Sequence, residues 1–373
     1  MNALLNHAPG ITRRGCVDIG HPCDIDCVFC YHRYEDRAQR RFLPEEEIRA
    51  RLRRFREEFG LEICDFTGGE PTLHPAIVRL TEFAAQIGIP LCIITHGQVR
   101  KKELIRALVE AGVAEFLVSI EGPEVIHNRM TNTAEGFQRV CAFLEELDRL
   151  GFHNWRMNTV ATSINMAALA ELAEWAVSLN NPPRNANFIV FSPLRDWAGM
   201  SEIDFQAAHS ELAPHLKETI DIFSEHGIWT NVRYYPICQL RGYEEHVTTF
   251  PQIIFDPLEW DYRAYVNMCE SDIRRVYETG IQSVVWAEAP AHVFFNTWSL
   301  LQQAKLYVHG PACRNCALRQ ICDGVSRQYA HRFGFGELQP YRGELIQDPV
   351  YWRRECLPYA VHPSIWSGPQ TLV

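Results

Sequence analysis

The chain has 373 residues, 47% of them apolar and 22% charged, the balance of a globular protein, which excludes full disorder. Its 36 Lys and Arg stand against 46 Asp and Glu, a net charge of −10 that argues against a general nucleic-acid binder. No apolar run reaches the roughly 18–20 residues of a bilayer span, and the start, MNALLNHAPGITRR, lacks a signal-peptide core, so a soluble cytoplasmic protein without membrane or nucleic-acid partners is expected.

From about residue 14 to 225, β-rich runs alternate with amphipathic helical stretches. The predicted strands are 15–19 (GCVDI), 61–66 (LEICDF), 90–95 (PLCIIT), 115–120 (EFLVSI), 155–162 (WRMNTVAT) and 186–192 (ANFIVFS). Between them apolar residues recur three and four apart, as in Leu104, Ile105, Leu108 and Val109, or Phe137, Val140, Leu144 and Leu147. Gly112 and Gly151 follow these stretches, where a left-handed residue commonly stops a helix. The run 45–58 (EEEIRARLRRFREE) has the acidic start and basic middle that suit a helix dipole. Apolar strands each followed by a helix predict a parallel sheet covered by helices. Six such units predict an α/β fold, a partial (β/α)6 TIM-like barrel over residues 1–227. Residues 228–360, rich in Tyr, Pro and Trp (Trp260, Trp286, Trp298), break the pattern and read as a separate C-terminal region, with 361–373 as a tail.

Thirteen cysteines are many for a chain expected in a reducing compartment, where clustered thiols are more often metal ligands than disulfides. Seven stand alone: Cys16, Cys64, Cys92, Cys141, Cys238, Cys269 and Cys356. The others form two groups, Cys23–Cys27–Cys30 and Cys313–Cys316–Cys322. The first group, in HPCDIDCVFCYH, follows the first predicted strand. A zinc ion there would need a fourth ligand, for which His21 and His32 are the candidates. A [4Fe–4S] cluster on three thiolates would instead leave one iron open to an external ligand.

CxxxCxxC with an aromatic, Phe29, just before the third cysteine resembles the radical S-adenosylmethionine (radical SAM) superfamily. The resemblance implies that Cys23, Cys27 and Cys30 hold a [4Fe–4S] cluster whose open iron chelates S-adenosylmethionine (SAM). Reductive cleavage would then release a 5′-deoxyadenosyl radical. A second match, FTGGEPTLHP, stands at the end of the second strand. Paired glycines admit close backbone approach, and the resemblance assigns Gly68, Gly69 and Glu70 to the SAM amino group. VSIEG, at the end of the fourth strand, is similar to the family's Ser-x-Asp/Glu-Gly and puts Ser119 and Glu121 near the SAM ribose and methionine moiety. HNRMTNTAEGF (127–137) looks like the segment that follows, with Arg129 toward the SAM carboxylate. THG (95–97) stands where many members have TNG, so His96 is a departure.

The second group, CRNCALRQICDG, resembles the auxiliary-cluster modules called SPASM and twitch. The full SPASM form carries a further cysteine where this chain has Ser326, which predicts one twitch-like auxiliary iron–sulfur cluster rather than two. Cys238 is the expected fourth ligand beside Cys313, Cys316 and Cys322, with Cys269 and Cys356 as rivals. Zinc on the same four thiols is the alternative.

Only 22 residues precede Cys23, too few for a fused peptide-recognition module, and the aromatic C-terminal region suits the lining of a polar pocket. The expected function is a radical SAM oxidoreductase or epimerase. It would act on a small polar metabolite (a sugar, aminocyclitol or nucleoside in natural-product biosynthesis), with a flavodoxin- or ferredoxin-type reductant. A peptide-modifying maturase and a zinc-stabilised, non-catalytic α/β binding protein are the alternatives. No general base or hydrogen donor is identifiable from the motifs.

Overall fold

Near-continuous apolar runs form short strands, and the amphipathic stretches between them form the helices. The computed structural model describes residues 12–30, 32, 38, 40–192, 205–253, 256–260, 306–346 and 351–353. In chain order these give β1 (Arg14–Asp18), α1 (Glu45–Glu57), β2 (Ile63–Thr67), α2 (Ile77–Gln86), β3 (Leu91–Thr95), α3 (Lys102–Glu110) and β4 (Glu115–Ser119). They continue with α4 (Glu124–Thr131), α5 (Gly136–Arg149), β5 (Trp155–Ala161), α6 (Leu169–Val177), β6 (Asn185–Val190), α7 (His209–Glu225) and β7 (Trp229–Arg233). After these come β8 (Val247–Thr248), α8 (Phe250–Ile253), β9 (Tyr307–Val308), β10 (Val325–Ser326) and α9 (Arg327–Phe333). Strands β1 to β8 follow one another in a single sheet in chain order, and β2 to β6 pair in parallel. This is the predicted α/β partial barrel, with β7 and β8 added to the six predicted strands.

Two compact units divide the chain: Val17–Arg53 with Ile63–Val232, and Met1–Cys16 with Arg54–Glu62 and Arg233–Val373. In the first unit the register assigns the two faces of the sheet, because partners in parallel strands point the same way. Ile93, Phe116 and Trp155 are successive partners on one face. That face lies under helices: Phe116 meets Phe143 of α5 edge-on at 5.3 Å, and Phe188 lies 6.2 Å from Phe223 of α7. The other face is polar. Asp65, Cys92 and Glu115 are partners there, as are Asn158 and Asn187. Near the strands' N-terminal ends the buried Arg156 guanidinium pairs with the buried Glu115 carboxylate, and Cys92 Sγ lies 3.7 Å from that carboxylate. A buried ion pair needs both partners to offset its desolvation. It closes this end of the sheet and leaves the C-terminal ends for chemistry, as in other parallel α/β folds.

In the second unit β9 and β10 form an antiparallel pair, Val325 opposite Val308. Val325, Tyr329 and Leu338 make a small core against which Cys238, Cys313, Phe333 and Phe335 pack. The tail 361–373, Cys269, Cys356, Trp286 and Trp298 lie outside the described residues. Among the described residues no helix is long and apolar enough to cross a membrane.

Candidate functional site

The first thiol group sits on the loop leaving β1, and the end of β2 holds that loop in place. Ile19 N–H donates to Thr67 O at 2.9 Å, Gly69 N–H to Gly20 O at 2.8 Å and Glu70 N–H to Pro22 O at 2.8 Å. The two glycines are required by this contact. Gly68 has φ +133°, and a Cβ on it would stand 2.2 Å from Gly20 O. A Cβ on Gly69 would stand 2.2 Å from Pro22 O. Side chains there would separate the two segments, so the close approach made by the paired glycines in this unit is to the thiol-bearing loop. Farther along, Val28 N–H donates to Met130 O of α4 at 2.8 Å, and Cys30 N–H to Cys27 O at 3.1 Å.

Cys23, Cys27 and Cys30 are half-buried. Burial pushes the Cys27 thiol well up, and the charges of Glu121, Cys30 and Cys23 push it further; burial raises Cys30 as well. Among the described residues, the ligand-atom groups gathered within 4.8 Å of one another are Asp18–His21–His32 and Cys23–Asp24–His96, and neither thiol set is one of them. Thiolates on one tetrahedral zinc stand about 3.8 Å apart, as Zn–S bonds near 2.3 Å dictate. Wider-spaced thiols suit a cluster, in which each binds a different iron.

Glu70 is almost fully buried, at 1% exposure, and its carboxylate is engaged within the protein. Oε1 accepts from Thr72 N–H at 3.0 Å, the Thr72 hydroxyl at 2.6 Å and the Thr95 hydroxyl at 2.8 Å. Oε2 accepts from His96 N–H at 2.9 Å. A carboxylate offers about four lone-pair sites, so Glu70 acts here as a brace joining the ends of β2 and β3. The His96 ring accepts from Gln98 N–H on Nδ1 at 2.9 Å, which places its proton on Nε2, 2.9 Å from Asp24 Oδ1. Burial disfavours the imidazolium while Glu70, Asp24 and Cys23 favour it, and the bond accepted from Gln98 N–H requires the neutral ring. Asp24 lies between Cys23 and Cys27, so His96 ties the end of β3 to the thiol loop.

Glu121 follows β4 and is buried. Its Oε2 accepts from Val160 N–H at 2.8 Å, and burial lifts its pKa to about 8. Asn165 fixes the segment by donating to Glu121 O at 2.8 Å and to Val160 O at 2.9 Å. His127 Nδ1 accepts from Glu121 N–H at 3.1 Å, which leaves the proton on its buried Nε2. That atom, like both side-chain atoms of buried Gln98, has no hydrogen-bond partner among the described residues. Ser119 is half-buried at the end of β4 and Phe29 half-buried in the thiol loop, whereas Arg129 is exposed on α4. Asp24, Thr72, Thr95 and Asn165 carried no signal in the motifs, and His96 only its departure from TNG.

In the second unit Cys238, Cys313, Cys316 and Cys322 line one recess, together with His309 and Arg319. Burial raises the Cys238, Cys313 and Cys322 thiols, most of all Cys322. Backbone amides point at two of the sulfurs: Leu318 N–H at 3.5 Å and Tyr341 N–H at 3.3 Å from Cys316 Sγ, Gly324 N–H at 3.4 Å from Cys322 Sγ. Such donors stabilise thiolates, the form that binds metal. Ser326 turns elsewhere: its hydroxyl accepts from Tyr329 N–H at 3.1 Å and caps α9.

Residues 17–176 match the model of the family described as the radical SAM superfamily. A probable GTP 3′,8-cyclase of Sulfurisphaera tokodaii is 25% identical over 161 residues, 43% of this chain and 51% of that protein. A tungsten-containing aldehyde ferredoxin oxidoreductase cofactor-modifying protein of Pyrococcus furiosus is 22% identical over 334 residues, covering 83% and 88% of the two chains. The structure of Streptococcus suis SuiB bound to S-adenosylmethionine has the same fold, with a TM-score of 0.56 at 16% identity over 91% of this chain and 78% of that one. The chain spans about half the length of the first curated relatives it matches.

Proposed function

Starting from a radical SAM domain at residues 17–176, we propose that the chain is a radical SAM enzyme that oxidises a small polar metabolite with the help of one auxiliary iron–sulfur cluster. Cys23, Cys27 and Cys30 would hold the [4Fe–4S] cluster that binds SAM, and Cys238, Cys313, Cys316 and Cys322 the auxiliary one. When bound, the first cluster and SAM supply a 5′-deoxyadenosyl radical able to take hydrogen from an unactivated C–H bond.

The protein's own part is to hold this chemistry still. Gly68 and Gly69 let the thiol loop lie against the end of β2, and Glu70 and His96 brace that junction. Glu121, with its raised pKa, stays protonated to about neutral pH and lies close enough to Cys27 to affect its thiol. The observation that carries the oxidative reading is the second site: four thiols converge on one recess. Four ligands suit a closed cluster that passes electrons, whereas three would suit one that binds substrate. Dehydrogenation therefore leads over epimerisation, which needs a hydrogen donor rather than an electron acceptor. A flavodoxin- or ferredoxin-type reductant would supply the first electron.

Iron, zinc and sulfide analysis tests this together with SAM cleavage. Native protein should carry about eight irons, as two four-iron clusters require, and no stoichiometric zinc. Cys316→Ala should retain about half of that iron and still make 5′-deoxyadenosine under reduction. Cys27→Ala should make none. Native-rate cleavage by Cys27→Ala, or zinc in place of half the iron, would overturn the proposal.

A further inference from the structure

Beside the thiols lies a second set of metal-type donors that the proposed chemistry does not use. Asp18 ends β1, His21 lies two residues before Cys23, and His32 two residues after Cys30. Their ligand atoms all fall within 4.8 Å of one another. His21 Nε2 is 3.2 Å from Asp18 Oδ2, and the two imidazole rings lie 3.8 Å apart, centroid to centroid, tilted by 35°. Donors on one tetrahedral ion at 2.0–2.1 Å stand about 3.3 Å apart. The His21–Asp18 spacing already meets that value, and the His32 ligand atom lies within 4.8 Å of both; on one ion the two rings would part from their 3.8 Å contact.

Contacts with the surrounding backbone hold the three in place. Gly20 N–H donates to Asp18 Oδ1 at 3.0 Å, which leaves Oδ2 turned toward His21. Asp18 Oδ1 also packs where a Cβ on Gly68 would come within 2.7 Å of it. Hydrogen bonds from Gly69 and Glu70 pin the backbone on either side of His21, and the Arg40 guanidinium donates to His32 O. His32 is 4% exposed, whereas the side chains of His21 and Asp18 are 33% and 40% exposed. The group is thus anchored on one side and open to water on the other. Two imidazoles and one carboxylate, with water completing the shell, is a donor set for zinc, cobalt or iron(II), and it favours these over calcium or magnesium.

We propose that Asp18, His21 and His32 bind one divalent transition-metal ion, separate from the thiol sites, which clips together the two ends of the loop bearing Cys23, Cys27 and Cys30. The ion joins residue 18 to residue 32 across the loop and so limits its opening. This inference stands whether or not the thiols hold a cluster.

The probe is cobalt(II), added to native protein with its iron in place after loosely held metal has been chelated away. Cobalt and iron are counted by mass spectrometry, and cobalt-edge X-ray absorption gives the ligand shell. One cobalt per chain, in a nitrogen and oxygen shell with an imidazole signature and with the iron content unchanged, is the expected result. Asp18→Asn keeps the oxygen that accepts from Gly20 N–H and so should fold; it should lose the cobalt on desalting. His32→Gln should lose it too, and if that variant fails to fold, Asp18→Asn decides alone. No cobalt on the native protein, a shell containing sulfur, or cobalt retained by folded Asp18→Asn would overturn the assignment.

Discussion

Replacing Glu70 separates two roles for the same carboxylate. If it served chiefly to accept from the SAM amino group, Glu70→Ala would weaken SAM binding and leave the fold unchanged. The hydrogen bonds point to a different outcome. Truncation removes the acceptor of two backbone N–H groups, Thr72 and His96, and of two hydroxyls. The hydroxyls can turn to other acceptors; the backbone donors, in a site that is 1% exposed, cannot. Each orphaned buried donor costs about 1–3 kcal/mol, or about 2–6 kcal/mol for the pair. At about 2–4 °C per kcal/mol for a unit of this size, the melting temperature should fall by roughly 5–20 °C. Glu70→Gln should lie between native and Ala, because one amide oxygen still serves the Thr72 and Thr95 donors while its NH2 faces the His96 N–H. The assay is thermal and urea denaturation without SAM, alongside SAM titration of the same samples. A Glu70→Ala protein that melts within about 1 °C of native but binds SAM ten-fold more weakly would refute the bracing argument.

Two further outcomes follow from the same geometry. Gly69→Ala puts a methyl group 2.2 Å from Pro22 O and 2.6 Å from His21 O, both backbone atoms that cannot swing aside. The thiol loop should be displaced and iron incorporation on reconstitution should fall by at least half, whereas Gly151→Ala, which carries the strain of its φ of +67° but meets nothing within 4 Å, should keep native iron; equal iron in both variants would contradict this. Burial depresses the pKa of His209, at the start of α7, to about 3 from an ordinary 6.5. A depressed folded pKa contributes stability that is present above pH 6.5 and lost as pH falls toward 3, at about 1.4 kcal/mol per pH unit. Urea denaturation at pH 7.5, 6.5 and 5.5 should show that loss in native protein and a shallower one in His209→Gln; the same slope in both would refute it.

The strands were legible because their physics is local. Runs such as LCIIT and EFLVS, buried on both faces, have no alternation to disguise them, and their observed limits lie within two residues of the predicted ones. β7 was not legible for the opposite reason. WTNVR carries Asn and Arg, and Asn231 belongs to the polar face, where it donates to Asn187 Oδ1 at 3.3 Å. A strand that shows polar residues to the inside of a sheet has the composition of a loop, and only its neighbour's register identifies it.

The two thiol sites differ in how far spacing alone could describe them. CxxxCxxC and GGE showed that three thiols and a close backbone approach belong together. They did not show that the approach is made to residues 20–22, or that Glu70 gathers its donors from β2 and β3 at once, because those contacts join residues up to 49 positions apart. At the second site spacing marked Ser326 as a missing ligand and no more. Its hydroxyl is the N-cap of α9, bound to Tyr329 N–H. Loss of such a cap costs about 1 kcal/mol, and a thiol is a weaker acceptor than a hydroxyl. The serine therefore does structural work where a ligand would otherwise stand. A Ser326→Cys change would have to turn that side chain away from the helix N-terminus before it could act as a ligand.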